Sequence, residues 1–296
     1  MKKFSKITVA AIAIITLFNF AACSKPKASE NKGAGNQTAG ANQTGNGKKS
    51  DSSNLTTQPN PDIEKLNSVY AKMSSRFKSE VKIEEPYEFL SDLKSVLEAE
   101  KQYASDDLPL YFLIDKKHTV DADYEPKNLV PLVKNDDYVI NKTTLSLRPD
   151  AAKALSVLGR AAQKDGVMLD VSSTYRSYEY QKNLFDYWVR VDGLEEAERE
   201  SARPGTSQHQ LGVAVDFGSI DDNYDKTPGG KWMYAHAAEY GWSLSFPKEY
   251  EDITGYRWEC WHFRFIGVEA CRFQKKWFSD IQQFMLEFID AWEKAE

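Results

Sequence analysis

The composition of the chain changes abruptly near residue 60, and this change limits where the chain can fold. Residues 24–60 contain no aromatic residue, and Leu55 is their only large aliphatic residue. Such a segment buries too little apolar surface to offset the entropy of ordering it, so 23–60 is predicted to be a disordered tether. The whole chain is 41% hydrophobic and 12% aromatic, so the remainder, 61–296, is predicted to fold.

The first 22 residues have the pattern of a secretion signal. Three lysines among the first six residues precede an apolar stretch over 7–20, and two alanines follow before Cys23. The stretch is shorter than a membrane-spanning helix requires. A cysteine directly after small residues resembles the lipobox of bacterial lipoproteins, although Phe20 stands where leucine is usual. We expect 1–22 to be a lipoprotein signal peptide and Cys23 to carry lipid. A plain secretion signal is the alternative.

Charge and cysteine content exclude several kinds of protein. The chain has 38 basic and 44 acidic residues, and it lacks the basic excess of a general nucleic-acid binder. Three cysteines are too few for a multi-disulfide scaffold or a four-cysteine zinc module. Cys260 and Cys271 are predicted to be separate buried thiols, with a disulfide in an oxidising compartment left open. A metal site must draw on only four histidines: His118, His209, His236 and His262.

Helical and strand patterns interleave along the rest of the chain. Helical spacing begins at Pro61 and extends to Phe77, resumes after Pro86, and recurs at 149–164, 177–191, 229–240 and 273–292. Short apolar strands are predicted at 110–114, 145–147, 167–171, 211–217, 242–246 and 256–265. We therefore expect an α+β fold with a small, partly antiparallel sheet and packed helices. Residues 61–105 are predicted to form an N-terminal helical appendage, and 106–296 the main domain.

Two segments carry the residue types of a catalytic metal site. They are Ser207-Gln-His209-Gln-Leu-Gly212-Val-Ala214-Val-Asp216 and Glu259-Cys-Trp-His262. A catalytic zinc takes three protein ligands and leaves one position open, and His209, Asp216 and His262 supply that number. Glu259 would then accept the proton of the attacking water. Residues three apart in a regular strand point to opposite faces, so Glu259 must lie beyond the strand or across a bend.

Each histidine alone is more often an ordinary buried side chain, but the joint pattern is far more specific. S-x-H-x-x-G-x-A-x-D followed by E-x-W-H resembles the zinc D-alanyl-D-alanine carboxypeptidases of the VanY type, relatives of the VanX dipeptidases. The resemblance covers about 111–267 and includes Asp123-Tyr-Glu-Pro-Lys-Asn-Leu and Ser173-Thr-Tyr-Arg176-Ser. It implies a Hedgehog/D-Ala-D-Ala peptidase-like fold.

The resemblance also implies roles for individual residues. His209, Asp216 and His262 would bind Zn2+, Glu259 would be the general base, and Arg176 would steady the scissile carbonyl oxygen. Two further residues, Ser207 and Gln181, match positions that line the substrate pocket. Both could equally be solvated polar side chains.

Three positions depart from the family pattern. Cys260 replaces a usual proline and Thr174 a common glycine, while 245–247 reads Ser-Phe-Pro in place of Arg-Tyr-Pro. The thiol near the metal site is expected to point away from it. The altered tripeptide leaves substrate contacts there open.

The predicted function is removal of the C-terminal D-alanine from peptidoglycan stem peptides by a zinc-dependent D,D-carboxypeptidase. The alternatives are an L,D-carboxypeptidase acting on tetrapeptide stems and a noncatalytic wall-binding domain; a VanX-like dipeptidase fits an envelope protein less well. The predicted partners are stem peptides and, through a lipid on Cys23, a membrane. The predicted location is the extracytoplasmic cell envelope.

Overall fold

The structure is a computed structural model that describes residues 60–103 and 106–295. The predicted signal peptide, the lipid-bearing Cys23 and nearly all of the predicted tether lie outside these residues. No helix in the described ranges is long and apolar enough to cross a bilayer.

Helices surround a small central sheet. The helices of the described residues are α1 (Pro61–Lys72), α2 (Ser75–Glu80), α3 (Pro86–Glu100), α4 (Pro149–Lys164), α5 (Tyr178–Asp192), α6 (Leu194–Glu200), α7 (Pro228–His236), α8 (Glu251–Thr254), α9 (Val268–Trp277) and α10 (Gln282–Lys294). The strands are β1 (Val130–Pro131), β2 (Val139–Ile140), β3 (Ser146–Leu147), β4 (Asp170–Ser173), β5 (Ala214–Phe217), β6 (Trp242–Leu244) and β7 (His262–Phe265).

The strands form two sheets of mixed direction. The larger sheet has the order β2-β4-β5-β7-β6, in which β2 and β4 are parallel and the other pairs are antiparallel. The strands β1 and β3 form a separate antiparallel pair. This arrangement confirms the predicted α+β class with a small, partly antiparallel sheet.

The N-terminal helical pattern is divided where the sequence predicted one run. The helix α1 ends before Met73, and Ser74 starts α2 by accepting a hydrogen bond from the backbone N–H of Phe77 onto its hydroxyl. A serine at this position satisfies a donor that the first turn of a helix leaves free. The restart turns Phe77 fully into the core.

An aromatic cluster joins both ends of the described chain. Its members are the buried rings of Phe77, Phe89, Phe278, Phe284 and Phe288. Ring centroids within it lie 5.1 to 6.3 Å apart, and three of the six ring pairs are edge to face. The N-terminal helices therefore share a core with α9 and α10. The predicted boundary between 61–105 and 106–296 stays a prediction.

The C-terminal segment predicted as one helix forms two helices, α9 and α10, so that prediction was wrong. The chain reverses at Ser279 and Asp280, which have positive φ angles of 53° and 61°. Both sides of the reversal present apolar residues at helical spacing, so the pattern continues across it. The break returns α10 across the core, where Phe284 and Phe288 complete the aromatic cluster.

The strand predicted at 110–114 is also wrong, although the segment is buried as an apolar strand would be. The carbonyls of Leu110 and Phe112 accept hydrogen bonds of 2.7 and 2.9 Å from the Arg264 guanidinium. A buried backbone group must find a partner, and here a side chain supplies it in place of a neighbouring strand.

The strands near the metal-site motifs are shorter than predicted. Of 256–265 only β7, from His262 onward, is strand, and of 211–217 only β5 is strand. The strand predicted at 167–171 begins instead at Asp170 and runs to Ser173. The helix predicted at 149–164 matches α4 at both ends. The helix predicted at 177–191 differs from α5 by one residue at each end.

Candidate active site

Neighbouring strands and one tight turn bring the predicted ligands together. His209 lies in a 3₁₀ turn, and the chain reverses at Gly212, whose φ of +68° suits glycine. The reversal leads into β5, which carries Asp216. In the sheet, Asp216 of β5 pairs directly with His262, the first residue of β7.

The three side chains form a compact, buried cluster. One ligand atom of each of His209, Asp216 and His262 lies within 4.8 Å of the others. The Nε2 atom of His209 is 3.2 Å from one Asp216 oxygen, and the Nδ1 atom of His262 is 3.1 Å from the other. We call these residues the three-ligand cluster. Its two nitrogens and one carboxylate are ligands that zinc accepts.

The protonation of the cluster fits a metal. Burial, followed by the nearby Arg176 charge, lowers the pKa of His209 to about 4, so its ring is neutral at physiological pH. Its Nδ1 is 2.7 Å from the carbonyl of Thr174, to which a neutral ring donates, and its lone pair on Nε2 then faces the cluster. Among the described residues, His209 Nε2 and Asp216 Oδ1 are buried without a hydrogen-bond partner. A bound cation would satisfy both atoms.

Asp216 is held in its charged form. Burial would raise its pKa, but the neighbouring His209 and Arg176 hold the pKa of this carboxyl well below its usual range. Arg176 Nη2 donates to Asp216 Oδ2 at 2.5 Å. A metal ligand must be deprotonated, and this environment keeps it so.

Glu259 lies just before β7 and beside the cluster. Its carbonyl accepts from the backbone N–H of His262 at 3.2 Å, which forms a turn ahead of the strand. The turn places Glu259 Oε2 3.5 Å from His262 Nδ1. Both solutions that the sequence offered apply: Glu259 lies beyond the strand end, and the chain turns at Cys260 and Trp261. Burial and then the Asp216 charge raise the pKa of Glu259 well above its usual range.

Arg176 follows β4 and faces the cluster. Its Nε donates to the Ser173 hydroxyl at 2.9 Å, which adds to the Asp216 contact in fixing the guanidinium. Gln181 lies 3.5 Å from Arg176 Nη1 and is fully buried, with its amide bonded to Ser201 and Ala202. Gln181 is not among the residues that line the adjacent cavity, and its predicted contact with substrate stays a prediction. Ser207 does line the pocket.

A cavity of about 340 Å³ opens over the cluster. One wall comes from α5, whose Tyr180, Leu184 and Trp188 recur every four residues and line the cavity. The sequence identified this spacing only as helical. Its period carries no mark that separates a pocket wall from core packing, so these residues were missed as pocket residues.

The remaining candidates lie away from the cluster. The Cys260 thiol points to the carbonyl of Asp221 at 3.4 Å, as expected for a thiol turned from the metal. Cys260 and Cys271 are both buried and free, as predicted. His118 pairs with Asp115 and His236 with Glu239, so neither reaches the site.

Comparisons with known proteins agree with this geometry. The VanY family profile, described as D-alanyl-D-alanine carboxypeptidase, matches residues 144–268. YodJ of Bacillus subtilis (strain 168), named as a carboxypeptidase, is 33% identical over 208 residues, 68% of this chain and 75% of YodJ. VanXYC of Enterococcus gallinarum, a bifunctional D-Ala-D-Ala dipeptidase and carboxypeptidase, is 32% identical over 53% of this chain and 83% of its own.

A solved structure matches as well. The L,D-carboxypeptidase LdcB superposes with a TM-score of 0.53 at 33% identity, covering 62% of this chain and 86% of the LdcB chain.

Proposed function

Because this chain belongs to the VanY family of D-alanyl-D-alanine carboxypeptidases, we propose that it is a zinc-dependent D,D-carboxypeptidase of peptidoglycan stem peptides. It removes the C-terminal D-alanine. The observation that carries the proposal is the meeting of the three-ligand cluster, Glu259 and Arg176 in one cavity. A noncatalytic wall-binding domain would not need a buried carboxylate beside a metal cluster.

The three-ligand cluster holds the metal in this proposal. A Zn2+ ion bound there supplies a Lewis acid that acidifies water and polarises the scissile carbonyl. Asp216 would contribute one negative charge to a divalent ion held there, which leaves that charge only partly neutralised.

Glu259 acts on protons. Its carboxylate takes a proton from the attacking water and later gives it to the leaving D-alanine nitrogen. The buried surroundings raise its pKa and so favour its protonated form after the first transfer. One residue can then serve both steps.

Arg176 acts on charge. The guanidinium is fixed by Ser173 and Asp216, so it does not need to reorganise when the carbonyl oxygen becomes negative. Its side chain is 17% exposed, which leaves one face open to the cavity. A fixed cation there stabilises the transition state more than the substrate.

The assignment is tested on the chain from residue 61 onward, loaded with zinc and incubated with defined muramyl pentapeptide and tetrapeptide. We expect mass spectrometry to detect loss of one alanine from the pentapeptide, abolished by a chelator and restored by zinc. Cleavage of the tetrapeptide alone would make the enzyme an L,D-carboxypeptidase, the specificity of its relative LdcB. Cleavage of neither, with one zinc bound, would contradict the peptidase assignment.

We further propose that the enzyme works at the extracytoplasmic face of a membrane, as a lipoprotein anchored through Cys23. The apolar segment ending in Ala-Ala-Cys supports this location. The polar residues that follow give the enzyme reach towards nearby peptidoglycan.

Cys23→Ser tests the anchor. The variant should leave the membrane fraction and lose labelling by a radioactive fatty acid, with the turnover of the soluble enzyme unchanged. Membrane retention with no fatty-acid label in the unaltered protein would contradict lipidation.

A further inference from the structure

A chain of buried polar side chains leads from His262 to the C-terminal helix. Gln208 Oε1 lies 3.1 Å from His262 Nε2 and accepts from the Ser245 hydroxyl at 2.7 Å. Gln208 Nε2 donates to Gln282 Oε1 at 3.3 Å. Gln282 Nε2 donates in turn to the backbone carbonyl of Ser243 at 3.3 Å. Each of the four side chains is at most 5% exposed: Gln208, Ser245, His262 and Gln282.

The backbone carbonyl of Ser243 fixes the direction of every hydrogen bond in this chain. The carbonyl of Ser243 can only accept, so it selects the amide nitrogen of Gln282. The Gln282 oxygen then faces Gln208 and selects the Gln208 nitrogen. That leaves the Gln208 oxygen towards His262, so His262 must carry its hydrogen on Nε2. A ring that binds metal then does so through Nδ1, the atom that faces Asp216.

The two histidine ligands are therefore oriented by different means. The ring of His209 donates from Nδ1 to a backbone carbonyl and faces the cluster with Nε2. His262 donates from Nε2 to a side chain and faces the cluster with Nδ1. A carbonyl on the main chain cannot be replaced by mutation, but Gln208 can be. This makes the second orientation testable.

We infer that Gln208 is a positioning residue for the metal, and that Gln282 of α10 sets the direction of its amide. The inference rests on the proposed zinc site. Partners that fix the tautomer of a ligating histidine typically change metal affinity 10- to 100-fold when they are lost. The C-terminal helix thus contributes to the metal site without touching it.

The inference also explains one departure from the family pattern. Ser245 stands where the pattern has arginine, and its side chain is 1% exposed between Gln208 and Gln282. Its hydroxyl donates to the same Gln208 oxygen that His262 uses. Ser245 therefore helps to hold that oxygen in place.

The first experiment measures Zn2+ affinity by competition with a chromophoric chelator. Gln208→Met keeps the length of the side chain but removes the acceptor, and it should weaken zinc binding about 10- to 100-fold. Gln208→Glu keeps an acceptor oxygen and should retain most of the zinc affinity of the unaltered enzyme. Equal affinity in Gln208→Met and the unaltered enzyme would overturn the inference and leave the zinc site intact.

A matched pair of substitutions on α10 tests whether Gln282 contributes to zinc affinity from outside the metal site. Gln282→Met should weaken Zn2+ binding by about 10-fold or less, because Ser245 still bonds to Gln208. Gln283→Met is the control: this adjacent, also buried amide bonds to Asp115 and Glu287, away from the metal. Equal losses in both variants would assign the effect to general loosening of α10 and overturn the role of Gln282.

The second experiment observes the tautomer directly by NMR of the Zn2+-loaded enzyme labelled with ¹⁵N-histidine. With four histidines in the chain, each ring can be assigned by substitution. We expect His262 to retain a slowly exchanging N–H on Nε2, and His209 on Nδ1. A His262 hydrogen on Nδ1 would overturn the inference. Absence of Zn2+ binding by the unaltered enzyme would overturn both it and the proposed site.

Discussion

The three-ligand cluster and the aromatic cluster are both buried, but they are built in opposite ways. The aromatic cluster is made of five phenylalanine rings with no polar side-chain atoms, in contact with each other. The three-ligand cluster confines two imidazoles, one carboxylate and, beside them, Glu259 and Arg176. Two of its polar atoms have no hydrogen-bond partner among the described residues.

This difference in composition means that the aromatic cluster stabilises the fold, whereas the three-ligand cluster lowers its stability. Burying aromatic surface stabilises a fold, and edge-to-face rings add to this. Burying polar groups without partners costs free energy. The metal site is therefore a place where the fold keeps a costly arrangement for chemistry, supported by apolar packing elsewhere.

The largest expected effect tests the functional side of this comparison. Glu259→Gln should lower turnover by about 10²- to 10⁴-fold, because the variant cannot accept a proton. Zinc content should be retained, and the metal-free protein should be no less stable to urea, since a neutral amide replaces a buried carboxyl. Glu287→Gln, another carboxyl whose pKa is raised by burial, is the matched control and should keep full turnover.

The next effect tests the apolar side. Phe77→Ala should lower the free energy of unfolding by about 3–5 kcal/mol, measured by urea denaturation, because it leaves a cavity among four rings. Turnover per bound zinc should stay the same wherever the variant is folded. Tyr87→Ala, on the exposed face of α3, should change stability by less than about 0.5 kcal/mol.

If Phe77→Ala does not fold, Phe77→Leu gives a smaller change of the same sign. A drop in turnover per zinc at full folding would mean that the aromatic cluster also shapes the site. The aromatic cluster and the three-ligand cluster would then not be independent of each other.

The smallest effect concerns a polar contact at the edge of the apolar region. Asp115 accepts hydrogen bonds from the backbone of Lys117 and His118 and from Gln283 of α10. Burial would raise the pKa of Asp115, but the two backbone hydrogen bonds and the His118 side chain lower it. Its contribution to stability is thus present above the unfolded pKa of about 3.9 and lost as the pH falls through the lower folded pKa.

Asp115→Asn should therefore reduce the free energy of unfolding by about 1–2 kcal/mol at pH 7. Its difference from the unaltered protein should shrink below about pH 4. Exposed Asp123→Asn serves as the control. A difference that is constant from pH 7 to pH 3 would assign the effect to packing and not to the charge.

The metal ligands could be predicted from sequence because they stand in two short segments with fixed spacing. Local patterns also predicted α4 and α5, where proline or serine marks the start of a helix. In each case the information lies within a few residues. The period of a strand reduced the geometry of Glu259 to two options, a bend or a position beyond the strand end, and the structure has both.

The errors arose where distant residues decide the local structure. The segment 110–114 is apolar enough for a strand, but Arg264, over 150 residues later, takes its carbonyls. The reversal at Ser279 interrupts a helical pattern that continues on both sides of it. Gln208 was read only as an intervening residue of a motif, because its partner Gln282 is 74 residues away.

The first and last helices of the described fold lie side by side. Lys65 Nζ donates a 2.7 Å hydrogen bond to the carbonyl of Ala295, and α1 packs against α10. A short glycine-rich peptide could join these ends, and the chain could be opened in the exposed loop 219–223. Such a circular permutant would carry His262 ahead of His209 in sequence. The ligands would still meet, because the pairing of β5 with β7 depends on register in the sheet and not on the order of synthesis.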